Sequence, residues 1–228
     1  MRPRLAALFA HVWVLIALLA LAGCASAPDM ARVDPGLFPR QPTAQGAFDG
    51  QVPLLTDPTA LQTTVVGERL SSLVQVQVPI GRIVHEASLA AFADAFRGGV
   101  QSIDRIGSEP APLRSPIVAV KVANYVYRDR LLYFIPLGQF VIEKWQLDVE
   151  IAAELRLLDA EGIVLWSAAY DSGIQIYDPP PFSFSEPRES RLEGLTRLTH
   201  ETAYKLMQQA ARDVGEWLRN ERLRERPL

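Results

Sequence analysis

From Trp145 to Leu157 the chain alternates almost without a break. Trp145, Leu147, Val149, Ile151, Ala153, Leu155 and Leu157 take the odd positions; Lys144, Gln146, Asp148, Glu150, Glu154 and Arg156 take the even ones, with Ala152 the exception. A side-chain period of two sends the two sets to opposite faces, so this stretch predicts a half-buried antiparallel strand. Asp159-Ala160-Glu161-Gly162 supplies turn chemistry, and Val164, Trp166, Ala168 and Tyr170 form the returning strand. Upstream, Val74, Val76, Val78 and Ile80 alternate with Gln75 and Gln77. Val118, Val120, Val122 and Val126 keep even spacing in a segment from Ile117 to about Arg128.

Two stretches carry the helical period instead. Leu89, Phe92, Ala93, Phe96 and Val100 follow the spacing of one helical stripe, with Gly98-Gly99 as its stop and His85 just before it. Near the end, Ser190 and Glu193 are spaced as a capping box. Leu192, Leu195, Leu198, Thr202, Leu206, Ala210, Val214 and Trp217 then track one face as far as about Asn220. Arg191, Arg197, Lys205, Arg212 and Arg219 fall on what reads as the solvated face. The predicted architecture is α+β: an antiparallel sheet of about four to five strands with two helices packed on one face, the second long and C-terminal.

The ends of the chain change the picture. Arg2 and Arg4 precede an apolar run from Leu5 to Ala22, broken only by His11, and Gly23 leads into Cys24, the single cysteine among 228 residues. Basic start, apolar run and small residues before a cut have the layout of a secretory signal. The run is also near the lower length limit for an uncleaved spanning helix. The ending Leu21-Ala22-Gly23-Cys24 resembles the lipobox of bacterial lipoproteins. That resemblance implies removal of residues 1–23, a diacylglycerol on the Cys24 thiol and an acylated new N-terminus, a lipid anchor needing no spanning helix. Ala25 and Ser26 follow, not the Asp that holds lipoproteins of the enteric type at the inner membrane, so the implied address is the periplasmic face of the outer membrane.

Residues 24–60 read as a tether, with part of it, at Leu54 and Leu55, laid across the domain surface: Pro28, Pro35, Pro39, Pro42, Pro53 and Pro58 interrupt any period. About 35 such residues reach on the order of 100 Å when extended. Residues 61–222 then form the periplasmic domain, and 223–228 a charged tail. The whole chain has a formal charge of −3, and removal of the signal with its two arginines makes the mature chain more acidic. With no basic stripe to meet phosphates, nucleic acid is not an expected partner.

Signals for catalysis are thin. His200-Glu201-Thr202-Ala203-Tyr204 begins like a zinc-protease helix, but Tyr204 stands where the second histidine belongs, and a surface or edge histidine is the plainer reading. His85 fits local packing or capping. No Gly-x-Ser-x-Gly elbow, Ser-x-x-Lys motif or phosphate loop is present. Asp148, Glu150 and Glu154 share a strand face, as paired carboxylates of a glycosidase would, but Lys144 and Arg156 share it too, as on any solvated strand. No catalytic residue, metal or cofactor is therefore expected.

The unusual segment is Leu131, Leu132, Tyr133, Phe134, Ile135, Pro136, Leu137 and Gly138, continued by Phe140, Val141 and Ile142. It lies between two long strands, where connections are normally polar, and Pro136 and Gly138 argue against a continuous strand. Charges flank it: Arg128, Asp129 and Arg130 before, Glu143 and Lys144 after. Such a tip is either folded back under the Pro-rich loop from Tyr177 to Phe182 or offered to a lipid or a partner. Leu131, Leu132, Tyr133, Phe134, Ile135, Leu137 and Phe140 are the candidate contact residues.

Taken together, lipobox, tether, early strand and helix, central meander and closing helix are similar in layout to small outer-membrane lipoproteins. That group includes the lipopolysaccharide-assembly lipoprotein and the auxiliary lipoproteins of ABC-type lipid transport. The resemblance covers residues 62–220 and transfers no functional residue beyond Cys24. It implies a non-catalytic accessory role in an envelope complex, with the membrane and an envelope protein or lipid as partners. A periplasmic enzyme acting on envelope material is the other reading.

Overall fold

The computed structural model describes residues 29–39, 47–66, 76–107, 116–137, 140–178 and 187–224. In chain order the elements are β1 (Asp29–Met30), a 3-10 turn (Pro35–Leu37), β2 (Val52–Leu55), α1 (Pro58–Leu61), β3 (Val65–Val66) and β4 (Val76–Val78). There follow α2 (Ile80–Ala95), β5 (Val100–Ile103), β6 (Ile117–Leu137), β7 (Phe140–Leu158), β8 (Val164–Asp171), β9 (Gln175–Tyr177) and α3 (Pro187–Arg224).

The strongest alternation in the sequence becomes the middle of β7. Leu147, Val149, Ile151, Ala153, Leu155 and Leu157 are all buried, so one face of the strand is continuous core. Each large aliphatic side chain buried this way contributes roughly 1.5–3 kcal/mol relative to exposure. β7 pairs antiparallel with β6 on one edge and with β8 and β9 on the other. The β7–β8 turn closes as its sequence demands. The Asp159 carboxylate accepts from the Glu161 and Ile163 amides at 3.0 and 2.7 Å, and Gly162 takes φ +84°, a conformation side chains disfavour.

Both long helices cover that face, giving the α+β architecture the pattern predicts. In α2, Ile80, Ile83, Val84, Ala87, Ala91 and Phe92 form the buried stripe. The helix therefore starts earlier than its Leu89–Phe96 signature, and His85 lies inside it. It ends before Phe96, which turns extended and bridges to Phe48, and Val100 opens β5. In α3, Leu195, Leu198, Leu206, Ala210 and Val214 are buried. This helix begins at Pro187, a residue suited to a first turn, so Ser190 is inside it and not its cap; at the other end it runs on to Arg224.

The sheet is mixed. Its order is β5-β2-β6-β7-β8, with β9 also on β7. The antiparallel half is the expected meander. The parallel half comes from β2, which inserts between β5 and β6. Residues 52–55 fall within the span that reads as a tether, yet Val52 and Leu54 are buried. Ala31, Phe38 and Phe48 from the same span also enter the core. Prolines there mark short elements and turns: Pro35 and Pro58 each open one, capped by the Asp34 and Asp57 carboxylates.

A bulge between Val122 and Asn124 corrects the reading of β6. An extra residue inverts the phase, so the face begun by Val118 continues with Tyr125 and Tyr127, both buried, and not with Val126.

Gly81 sets how closely α1 approaches α2. A methyl at this position would lie 1.8 Å from the Ala60 carbonyl oxygen. Backbone cannot swing aside as a side chain does, so Gly81→Ala is expected to cost about 1–3 kcal/mol or more, measured as a lowered midpoint in urea denaturation with unchanged slope.

Candidate functional site

The apolar segment between the long strands is the outer part of a single hairpin. β6 continues through Pro136, and its partners run unbroken to Leu137 opposite Phe140. The expectation that Pro136 interrupts the strand does not hold. A two-stranded ribbon leaves alternate N–H groups on its outer edge, where a proline has no ladder bond to lose. Among the described residues, β2 pairs with β6 only at Val118 and Ala119, and β9 leaves β7 at Leu147. Beyond those points, among the described residues, β6 and β7 pair only with each other. From Leu131 to Leu137 this arm extends roughly 20 Å.

A second bulge, between Leu131 and Tyr133, fixes the arm's register. Tyr133 pairs with Lys144, Ile135 with Ile142 and Leu137 with Phe140, which are positions of one face; Phe134 with Glu143 and Pro136 with Val141 are positions of the other. Leu131 pairs with Trp145 at the root, and Leu132, at the bulge, is 49 % exposed. The candidate contact residues are thus gathered on one arm and split between its two faces. No charged residue occurs from 131 to 142.

The arm's root is held by charges. Asp148 is buried and accepts from the exposed Arg130 guanidinium at 2.8 Å and from Gln146 at 3.1 Å. Lys144 meets Asp178 at 2.6 Å. On the helix side, Arg191 Nη1 lies 3.5 Å from Asp129 Oδ2, with only 9 % and 1 % of their side chains exposed, and its guanidinium sits 5.6 Å over the Trp145 ring. Arg191 is therefore a buried anchor of α3 and not part of a solvated face. Tyr177 and Asp178, the described start of the Pro-rich loop, meet Trp145 and Lys144 at this root; residues 179–186 lie outside the described residues.

The N-terminal segment is latched beside the same helix by His200. This histidine is fully buried, against the expectation of a surface or edge position. Its Nδ1–H donates to the Thr196 carbonyl at 2.6 Å, and its Nε2 accepts the Asp34 amide at 3.0 Å. That pair of bonds requires the neutral ring, and burial lowers its pKa from the usual value against the opposing effects of Thr196 and Asp34. Phe38 packs 5.3 Å from the His200 ring and 5.9 Å from that of Tyr204, whose hydroxyl donates to the Asp94 carboxylate. His200 is thus a structural clamp that the motif search did not find; its only sequence signal is a lone histidine on an otherwise apolar helix face.

Other sequence candidates stay apart. His85 is half-buried in α2, and burial lowers its pKa. Glu154 pairs with Arg156 at 2.8 Å on the outer sheet face, while Asp148 serves the arm's root. Among the described residues no group of three or more His, Cys, Asp or Glu side chains is placed to hold a metal ion, and no helix is long and apolar enough to cross a membrane. Cys24 lies outside the described residues.

No protein-family model matches this chain. No curated protein matches it either. Among solved structures it is similar to lipoprotein B from Nitrosomonas europaea, at 15 % identity and TM-score 0.38 over 78 % of this chain and 90 % of that one. It is similar to a neuraminyllactose-binding hemagglutinin homologue from Helicobacter pylori, at 9 % identity and TM-score 0.43 over 81 % and 95 %. Rare lipoprotein B from Shewanella oneidensis matches at 14 % identity and TM-score 0.32 over 77 % and 98 %. The likeness to these proteins, two of them bacterial lipoproteins, is one of loose layout and transfers no site.

Two outcomes follow from the buried polar contacts. Arg191→Met leaves the Asp129 carboxylate buried without that cation and should cost about 3–5 kcal/mol in urea unfolding, with part recovered when Asp129→Asn is added. His200 has a folded-state pKa below its unfolded value, so its contribution is complete above about pH 6.5 and is lost as pH falls below it, at up to about 1.4 kcal/mol per pH unit. Unfolding free energies measured between pH 7.5 and 5 should show this slope in the native chain, and His200→Phe should flatten it while lowering stability at neutral pH.

Proposed function

We propose that this is a lipid-anchored protein of the bacterial envelope, held through Cys24 at the periplasmic face of the outer membrane, and that it acts by contact and not by catalysis. The observation that carries the reading is the arm: a two-stranded ribbon with no charged residue from 131 to 142, braced at its root by the buried Arg191–Asp129 pair and by Asp148, which is buried beneath the exposed Arg130. Long uncharged apolar elements cost solubility, and they mark surfaces that meet lipid or protein. Support for the anchor is the Leu21-Ala22-Gly23-Cys24 sequence. The role is that of an accessory component in envelope assembly or lipid transport, in keeping with a layout shared with bacterial lipoproteins.

A photo-crosslinking residue at Phe134 in living cells tests this. Adducts with a membrane lipid or an envelope protein are expected. Phe134→Asp should weaken the contact by about ten-fold or more, from the loss of one buried aromatic side chain. Cys24→Ser should release a folded chain from the membrane fraction. No adduct from Phe134, together with an unchanged phenotype for Phe134→Asp, would overturn the proposal.

A further inference from the structure

The fold settles which end of the domain the anchor leaves from. Asp34 meets His200, Phe38 stacks over Tyr204, and Phe48 lies against Gly215, so these described positions succeed one another along α3 toward its C-terminus. Followed the other way, toward Asp29, the chain runs to the N-terminal end of α3. There Arg191 reaches Asp129 and Trp145 at the root of the arm. The pairing agrees. Asp29 is the register partner of Val76, whose carbonyl accepts the Tyr127 hydroxyl at 3.1 Å. Tyr127 is only four positions before Leu131, where the arm begins; its two strands are both free of charge from the Ile135–Ile142 pair outward. Anchor and arm therefore leave the same end of the domain.

Chain length makes this consequential. Only residues 25–28 separate Cys24 from Asp29, and five Cα steps reach at most about 18 Å. From Tyr127 to Leu137 the ribbon covers roughly 30 Å. The leash is shorter than the arm beside it. A tether of residues 24–60 would let the domain stand clear of a membrane, but the folding of residues 29–39 and 47–61 into the domain removes that freedom. Met30, just inside the leash, is 60 % exposed, an apolar side chain at the same end.

Resting on the reading of Cys24 as acylated, we infer that the occupant of the arm is the lipid bilayer that holds the anchor. The ribbon's outer positions, 135–137 and 140–142, enter the headgroup–acyl boundary of that bilayer, where water still meets the open ribbon edges and the Glu143 and Lys144 positions, so the protein is fixed at two points and presents its opposite end, with Val164 and Leu165, to the periplasm. Single-point anchoring lets a domain tumble on its leash; a second apolar contact fixes its orientation. Both faces of the ribbon carry apolar positions, which suits immersion in lipid, whereas a protein groove needs only one apolar face.

The test uses the full chain, processed and acylated in a bacterial host and reconstituted in vesicles of phosphatidylethanolamine and phosphatidylglycerol containing no other protein. With Cys24 blocked by lipid, an introduced cysteine is the sole reactive thiol. Ile135→Cys and, on the other face of the ribbon, Val141→Cys are labelled with an environment-sensitive fluorophore. Leu165→Cys, an apolar position that is 46 % exposed at the far end, is the control. Labels at 135 and 141 should shift to the blue and lose most of their emission to nitroxides on the lipid acyl chains, while the label at 165 should behave as in water. Labels at 135 and 141 that stay as aqueous as that at 165, on protein that floats with the vesicles, would overturn the inference and leave the anchor intact; crosslinks from Phe134 to a protein in cells would then identify a protein occupant. Reaction of the label with Cys24 in the unsubstituted chain, and failure of that chain to float, would overturn the anchor and with it this inference.

Discussion

Everything in this molecule is arranged around the buried face of β7. Six alternate side chains between Leu147 and Leu157 are withdrawn from water together, and a period-two surface of that length must be covered by something of matching length. Two helices do so. The same strand supplies the edges for β6, β8 and β9, so one alternation fixes the position of each element of the meander. Slipping β7 by one residue would send Asp148, Glu150 and Glu154 inward, which is why the register is unambiguous.

Polar groups buried at the margins of this core locate α3. Arg191 ties its first turns to Asp129 and Trp145, His200 ties its middle to the N-terminal segment, and Tyr170 donates to Asp213 nearer its end at 3.0 Å. Such contacts add little stability against apolar replacements, but each penalises a helix that rotates or slides, because a shifted helix leaves a buried polar group unmatched. Gly194 and Gly215 complete the fit: the Tyr177 and Phe48 rings lie where side chains would otherwise stand.

Much of this was legible in the sequence where one local pattern dominated. The alternation of β7 and β8, the Asp159–Gly162 turn and the apolar stripe of α3 all reappear as read. The misreadings have physical causes. A single extra residue at the bulge after Val122 moved the buried face from Val126 to Tyr125 and Tyr127, and no composition signal marks a bulge. Leu54 reads as chain laid across the domain surface and Val52 as tether, not as a strand inside the sheet, because a four-residue strand among prolines is too short to show a period. Arg191 and His200 look like surface residues by type, and only the partners that tertiary packing brings to them, Asp129, Trp145 and Asp34, make their burial tolerable. The arm was visible as an apolar oddity, but its continuity through Pro136 depends on how strands pair along it, and among the described residues no third strand does, which is a fact of topology.

The latch between Asp34 and His200 joins groups 166 positions apart, and that separation has a consequence in time. The N-terminal segment packs on the last helix to be made, and β2 needs both β5 and β6 for its place in the sheet. Contacts of such sequence separation form late, since the long intervening loop must close first. The domain accordingly cannot finish folding until α3 is in place to receive the N-terminal segment. Through that whole interval Phe38 and Asp34 lack the ring and the imidazole nitrogen they will later meet. Helix comes first and latch second, an order set by the topology.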